Sequence, residues 1–171
     1  EGLDSIGGTL DIWRNPELLN LNAFNNLVSV GGALNIGDCD KLVNLSGLEN
    51  LQSVGGNLDF YQNDDLESIG ELNNLLSIGG IIWISSNTAL ISLTGLNNIN
   101  AASVTDLRIY NNSLLTTCEV QSICSVIANP NGEIDIHDNS IGCNNQEEVE
   151  NACLIIGIPT LKNEPEIKIY P

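Results

Sequence analysis

One 24-residue phrase, written again and again, constrains this chain more than any other feature. The motif Ser-Ile/Val-Gly-Gly begins at Ser5, Ser29, Ser53 and Ser77, each 24 residues after the last. A fifth copy starts at Ser103, with Thr105 and Asp106 in place of the glycines, and a sixth is legible as EIDIHDN from Glu133. A fixed period of this length marks an architecture in which each repeat is one supersecondary unit and must stack on its neighbours to bury its apolar side.

Each repeat carries two apolar residues one position apart: Leu10 and Ile12, Leu34 and Ile36, Leu58 and Phe60, Ile82 and Ile84, Leu107 and Ile109, Ile134 and Ile136. This alternation predicts one short strand per repeat, stacked in parallel about 4.8 Å apart. Three residues beyond each pair stands Asn15, Cys39, Asn63, Asn87, Asn112 or Asn139. Asn can bond backbone groups inside a corner and Cys is its apolar substitute, so Cys39 reads as a buried, unpaired, structural thiol. Leu42, Leu45, Leu48 and Leu51 recur every three residues, which suits a tight, partly 3₁₀-like coil with one apolar side. The opening EGLDSIGG matches the closing phrase GLENLQSVGG, so residue 1 is expected to fall inside a repeat, with further repeats or a cap upstream.

In these residues the chain resembles the leucine-rich repeats, and more narrowly the receptor L domains of insulin- and EGF-receptor ectodomains, over roughly residues 3 to 140. The ordinary spacing is L-x-x-L-x-L-x-x-N. Four of these repeats instead put three residues, two of them Gly, between the first two apolar positions, and only Val104 to Leu107 keeps the shorter spacing. The resemblance implies a mainly β fold, a right-handed parallel β-solenoid of about six turns, rather than a horseshoe of helices.

Beyond residue 115 the pattern changes. Thr116 to Ala128 predicts a helix, with Thr116 and Glu119 as a capping box and Pro130 past its end. Asn145 to Leu154 predicts a second, with Glu148 three residues after the cap. Four of the five cysteines lie here. Cys118 and Cys124 would stand roughly 9 Å apart along one helix, beyond disulfide reach, and Cys143 and Cys153 meet the same difficulty. Side-by-side helices, each with a cysteine eight residues past its cap, favour Cys124 with Cys153 and Cys118 with Cys143. Four reduced thiols or a zinc site are the alternatives, although no second pair has finger-like spacing. The bridges would staple the last repeat and imply an oxidising, extracytoplasmic compartment.

After Cys153, the apolar strip LIIGIP is expected to lie over the end of the core as a lid, and LKNEPE reads as a linker. The closing EIKIYP resembles the start of the C-terminal sorting domain of proteins exported by the Bacteroidetes type IX secretion system, which opens with an apolar residue and Tyr-Pro-Asn-Pro. That resemblance implies a secreted or cell-surface protein, on the outer-membrane exterior. The expected organisation is therefore L-domain-like repeats over 1–115, a last repeat and helical cap over 116–158, and a linker with the start of a sorting signal over 159–171.

Charge narrows the partners. The 22 acidic and 5 basic residues give a net charge of -17, spread along the chain. Such a surface repels phosphate backbones and anionic membranes, so nucleic acid is not an expected partner. Asp38, Asp40, Asp64 and Asp65 read as solvated turn residues rather than a calcium loop, and no metal or cofactor is expected. No apolar run approaches the ~20 residues that span a bilayer, so direct membrane insertion is not expected either. No signal-peptide pattern is present, so an exported protein would be seen here in mature or trimmed form.

Function then needs an exposed face, and strand alternation points two columns outward. The first is Asp11, Asn35, Asp59, Trp83, Arg108, Asp135, and the second is Trp13, Gly37, Tyr61, Ser85, Tyr110, His137. Both tryptophans and all but one of the tyrosines fall on these columns in a chain only 4% aromatic. Flat rings beside carboxylates and amides stack on sugar rings and bond their hydroxyls, and they anchor proteins equally well. The candidate ligand-binding residues are Trp13, Tyr61, Trp83, Tyr110, Asp11, Asp59, Arg108, Asp135 and His137. A glycan and a protein ligand stay open as partners, as does membership of a larger outer-membrane assembly.

Two rival classes stand beside this one. Aromatics also shield exposed sheets, and the domain would then be a structural spacer or accessory subunit. A glycan-active hydrolase would need convergent carboxylates, and Asp11, Asp59 and Asp135 share a face. However, Asp11 and Asp59 lie two strands, about 10 Å, apart on a sheet expected to be open, with no cleft to exclude water or shift a pKa. Ser-His-Asp chemistry would depend wholly on His137, whose place in the Asn-column phrase reads as structural. No catalytic residue is assigned.

Overall fold

The computed structural model describes residues 2–157. The LKNEPE linker, the EIKIYP resemblance and the last two residues of LIIGIP lie outside the described residues. Ten strands follow in chain order: β1 (Ser5–Ile6), β2 (Leu10–Trp13), β3 (Ser29–Val30), β4 (Leu34–Gly37), β5 (Ser53–Val54), β6 (Leu58–Tyr61), β7 (Ser77–Ile78), β8 (Ile82–Ser85), β9 (Leu107–Tyr110) and β10 (Ile134–His137). They form two parallel sheets, a four-stranded one ordered β1-β3-β5-β7 and a six-stranded one ordered β10-β9-β8-β6-β4-β2. The sequence period becomes the pairing register: Ser5 lies opposite Ser29, and Leu34 opposite Leu58.

The Gly-Gly phrase has a steric cause. A Cβ on Gly31, Gly55 or Gly79 would run into the carbonyl oxygen of the glycine one repeat earlier, so only glycine lets the backbones approach this closely. Where the phrase is lost, the shorter sheet stops. In the fifth repeat Ser103 ends a 3₁₀ turn, Ala101–Ser103, capped by Asn100, and adds no strand to β7. Asp106, standing in for a glycine, uses its carboxylate to accept the Glu133 N–H at 2.7 Å.

The core is built from the alternate strand residues and the three-spaced leucines. Leu34, Ile36, Leu58, Phe60, Ile82 and Ile84 are fully buried, as are Leu42, Leu45, Leu48 and Leu51. Leu48 N–H donates to the Leu45 carbonyl at 3.0 Å and Leu51 N–H to that of Leu48 at 3.1 Å, which are the i→i+3 bonds that the spacing predicts. Each such leucine contributes about 1.5–3 kcal/mol of hydrophobic stabilisation.

Beside the six-stranded sheet the asparagine column forms a ladder. Asn63 Oδ1 accepts the Cys39 N–H at 3.2 Å, Asn87 Oδ1 that of Asn63 at 3.2 Å, Asn112 Oδ1 that of Asn87 at 3.0 Å, and Asn139 Oδ1 that of Asn112 at 3.0 Å. Each amide nitrogen then donates to a carbonyl further back: Asn63 to Ile36, Asn87 to Phe60, Asn112 to Ile84, Asn139 to Ile109. Cys39 takes the equivalent place with its thiol 3.4 Å from the Gly37 carbonyl, and burial pushes that thiol's pKa up. The residue before each column member, Arg14, Asp38, Gln62, Ser86, Asn111 or Asp138, has a φ between 52° and 59°. These left-handed corners cost roughly 1–2 kcal/mol each. The ladder offsets that cost by satisfying buried backbone groups on both sides of the corner.

Two helices close the described chain, α1 (Gln121–Ala128) and α2 (Gln146–Ile155). The first starts four residues later than its capping box predicts, with Val120 rather than Thr116 before its first residue. Thr116 and Thr117 both donate N–H bonds to the Ile91 carbonyl at 3.1 and 3.3 Å, continuing the lateral bonding between repeats, and Glu119 accepts from the Cys118 N–H. Lateral pairing with the preceding repeat thus outweighs a local cap. The second helix keeps its expected start, with Asn145 Oδ1 accepting the Glu148 N–H at 2.9 Å.

The bridges are Cys118–Cys143 and Cys124–Cys153, each with Cα atoms 5.7 Å apart. The pairing is the expected one, but not for the expected reason. Cys118 precedes α1, and Cys124 is its fourth residue while Cys153 is the eighth of α2, so equal distance from the caps plays no part. The LIIGIP lid is also corrected. Leu154 and Ile155 end α2, Ile155 is 86% exposed and Ile156 52%, because α2 turns Val149 and Cys153 inward instead. Two disulfides point to a secreted or extracellular protein. Among the described residues no helix is long and apolar enough to cross a membrane.

Candidate functional site

Parallel register turns the two outward columns into rows across the six-stranded sheet. Asp11, Asn35, Asp59 and Trp83 are successive partners on β2, β4, β6 and β8, and Trp13, Gly37, Tyr61 and Ser85 run beside them. Gly37 creates the relief. With no side chain between Trp13 and Tyr61, the Tyr61 ring leans over β4, where a Cβ on Gly37 would come within 2.7 Å of it. Tyr61 then meets Trp13 at a centroid distance of 4.4 Å, tilted by 54°, and Trp83 at 6.1 Å, nearly parallel at 18°. Offset and tilted pairs at these distances are favourable ring geometries. Ser85, expected on the outward face, is buried, as is Gly37.

The result is a concavity of about 380 Å³ lined by Asp11, Trp13, Asn35, Asp59, Tyr61 and Trp83. The expectation of an open sheet without a cleft is therefore overturned, and the cause is the glycine gap that lets the rings tilt. On its lining residues, Asn35 Oδ1, Asp59 Oδ1, Tyr61 Oη and Trp83 Nε1 are each covered from solvent and have no hydrogen-bond partner. Buried polar atoms are nearly always paired, so four orphans around one hollow are unusual. Burial raises the Asp59 pKa, an effect that a hydrogen bond from Asn57 partly opposes. Burial also raises the Tyr61 pKa, helped by the Asp11 and Asp38 charges and opposed by Arg14, which keeps the hydroxyl protonated at neutral pH.

The remaining candidates lie elsewhere on the sheet and are occupied with one another. His137 stacks on Tyr110 at 4.9 Å with ring planes 4° apart, and its Nδ1 lies 2.8 Å from the Asp138 carboxylate. Its Nε2 lies 3.5 Å from Asp135, and Arg108 lies 3.5 Å from Glu133. Of the nine candidates, the structure brings Asp11, Trp13, Asp59, Tyr61 and Trp83 into the hollow and leaves Tyr110, Arg108, Asp135 and His137 outside it. It adds Asn35, which the alternation placed in the outward column but which residue chemistry alone did not single out. The signal for it was its neighbours, two aspartates in the same column. No basic side chain lines the hollow; Arg14 stands 6.0 Å from the Trp13 ring and pairs with Asp38. Among the described residues no group of three His, Cys, Asp or Glu side chains is placed to hold a metal ion.

Comparison with known families, with curated proteins and with solved structures finds no match to this chain.

Proposed function

We propose that this chain is a non-catalytic binding module whose ligand sits in the hollow bounded by Trp13, Tyr61 and Trp83. In this reading the two sheets are faces of a right-handed parallel β-solenoid of the receptor L-domain-like, leucine-rich type, with about six turns. The module works outside the cell, at the cell surface or as part of a secreted protein, and a larger outer-membrane assembly can carry it. The observation that carries the reading is the convergence of three aromatic rings with Asp11, Asn35 and Asp59 in one concavity. Rings supply area at low entropic cost, and the carboxylate and amide groups beside them supply orientation.

The test is a binding screen of the purified domain against a glycan array and a peptide library, with Trp13→Ala and a Trp83→Ala, Tyr61→Ala double variant run alongside. The expected result is binding that falls at least tenfold in both variants while their far-ultraviolet spectra are unchanged. Equal binding by wild type and variants would remove the hollow from the function. Recovery of every bound oligosaccharide uncut is expected of a binder, whereas shortened products would make Asp11 and Asp59 the carboxylates of a hydrolase.

A further inference from the structure

Resting on that reading, we infer that the hollow takes a weakly hydrated organic cation, a guanidinium or quaternary ammonium group seated against its rings and drawn there by Asp11 and Asp59. The argument is one of charge balance. Among the described residues the basic side chains Arg14, Lys41 and Arg108 pair with Asp38, Glu17 and Glu133, and His137 lies beside Asp135 and Asp138. Asp11 and Asp59 have no such partner among them, and no basic side chain lines the concavity that they share. Asp11 is exposed and open to contact. Asp59 is half-buried and burial raises its pKa, so its charge is held at a cost that a neighbouring cation relieves. That relief acts through space and does not require the cation to reach the covered Asp59 oxygen.

The rings select the kind of cation. A bare metal ion needs several ligand atoms at once, and among the described residues no group of three His, Cys, Asp or Glu side chains is placed to supply them. A guanidinium or quaternary ammonium group sheds water more easily and is attracted by the negative face of a ring within about 6 Å of its centre. The molecule carries its own example at the rim, where the Arg14 guanidinium stands 6.0 Å from the Trp13 centroid while pairing with Asp38. Trp13 itself, 43% exposed, forms the outer wall that an incoming cation meets first. The volume of about 380 Å³ lies at the small end of ligand sites, which fits one such group and its stem. An anion would be repelled by both carboxylates, and the net charge of -17 draws cations towards the whole chain.

The test is calorimetry on the whole domain with probes paired by shape: choline against 3,3-dimethylbutanol, and a short arginine peptide against the same peptide with citrulline. The expected result is that at least one cation binds about tenfold or more tightly than its neutral twin, and the pair that shows it tells a free quaternary amine from an arginine side chain. Raising salt from about 0.01 M to about 0.1 M should weaken that binding several-fold. Asp11→Asn should weaken it about fivefold or more without lowering the melting temperature, because Asp11 is exposed and Asn35 already holds the next place in the same row. Arg14→Gln, which removes the competing guanidinium, should tighten it about twofold or more, and Gln62 shows that glutamine fits the matching corner, at a φ of 53°. Equal binding within both pairs, absence of binding by both cations, or full affinity in Asp11→Asn would overturn the inference. Binding of a neutral twin as tight as its cation, and abolished by Trp13→Ala, would overturn the cation and leave the hollow as a binding site; binding that no variant in the hollow reduces would overturn both.

Discussion

At the scale of single residues, the asparagine column carries more of the fold than its small side chains suggest. Removing Asn87 would orphan the Asn63 N–H and take a donor from the Phe60 and Ser85 carbonyls, of which Ser85 keeps the Gln62 N–H, all within a buried corner. With roughly 1–3 kcal/mol for a buried group left unsatisfied, Asn87→Ala should destabilise the domain by about 2 kcal/mol or more, read as a shift in urea midpoint. A loss below about 1 kcal/mol would mean that water replaces the ladder. Asp59 behaves in the opposite sense. Its folded pKa is raised by burial, so its contribution to stability is present below the ordinary carboxylate value of about 4 and is lost as pH rises through the raised one. Asp59→Asn should therefore melt above the wild type at pH 7 and with it near pH 3. A variant less stable at pH 7 would show that the carboxylate is held by partners rather than tolerated for a ligand. The Asn column was legible in the sequence as spacing. The left-handed residue before it was not, because Arg14, Gln62 and Ser86 carry no signature of positive φ.

At the scale of elements, strand register was readable because a period of 24 residues can pair only with itself one repeat on. The start of α1 was not, because a capping box is a local signal and the Ile91 carbonyl that claims Thr116 and Thr117 is distant in sequence. The hollow itself was half legible. Its rings and carboxylates followed from alternation, but its concavity depends on how Tyr61 leans over Gly37, which no spacing reports. Gly37→Ala should push the Tyr61 ring aside, weaken ligand binding several-fold and leave the strands in place, because the crowded atoms are the far end of a movable side chain. Unchanged binding would show that the Tyr61 position is unimportant. At the C-terminal end, a non-reducing peptide map should recover Cys118 joined to Cys143 and Cys124 to Cys153. Reduction should cost about 3 kcal/mol for each bridge, given loops of 25 and 29 residues. A peptide joining Cys118 to Cys124 would contradict the placement of both helices.

At the scale of the whole molecule, a net charge of -17 makes the chain repel itself as well as anionic partners. The ion pairs Arg14–Asp38, Lys41–Glu17 and Arg108–Glu133 are exposed and worth no more than about 1 kcal/mol each. Raising salt from about 0.01 M to about 0.1 M, which shortens the screening length from about 30 Å to about 10 Å, should therefore raise the melting temperature. The most direct measurement exploits composition. The chain has two tryptophans, Trp13 and Trp83, and both line the hollow, so intrinsic fluorescence reports on that site without a label. Titration with the glycan or peptide that the binding screen retains most tightly should change the emission and shield both tryptophans from acrylamide, with a midpoint equal to the calorimetric Kd. Calorimetric binding that leaves emission and quenching untouched would place the ligand elsewhere and contradict the account.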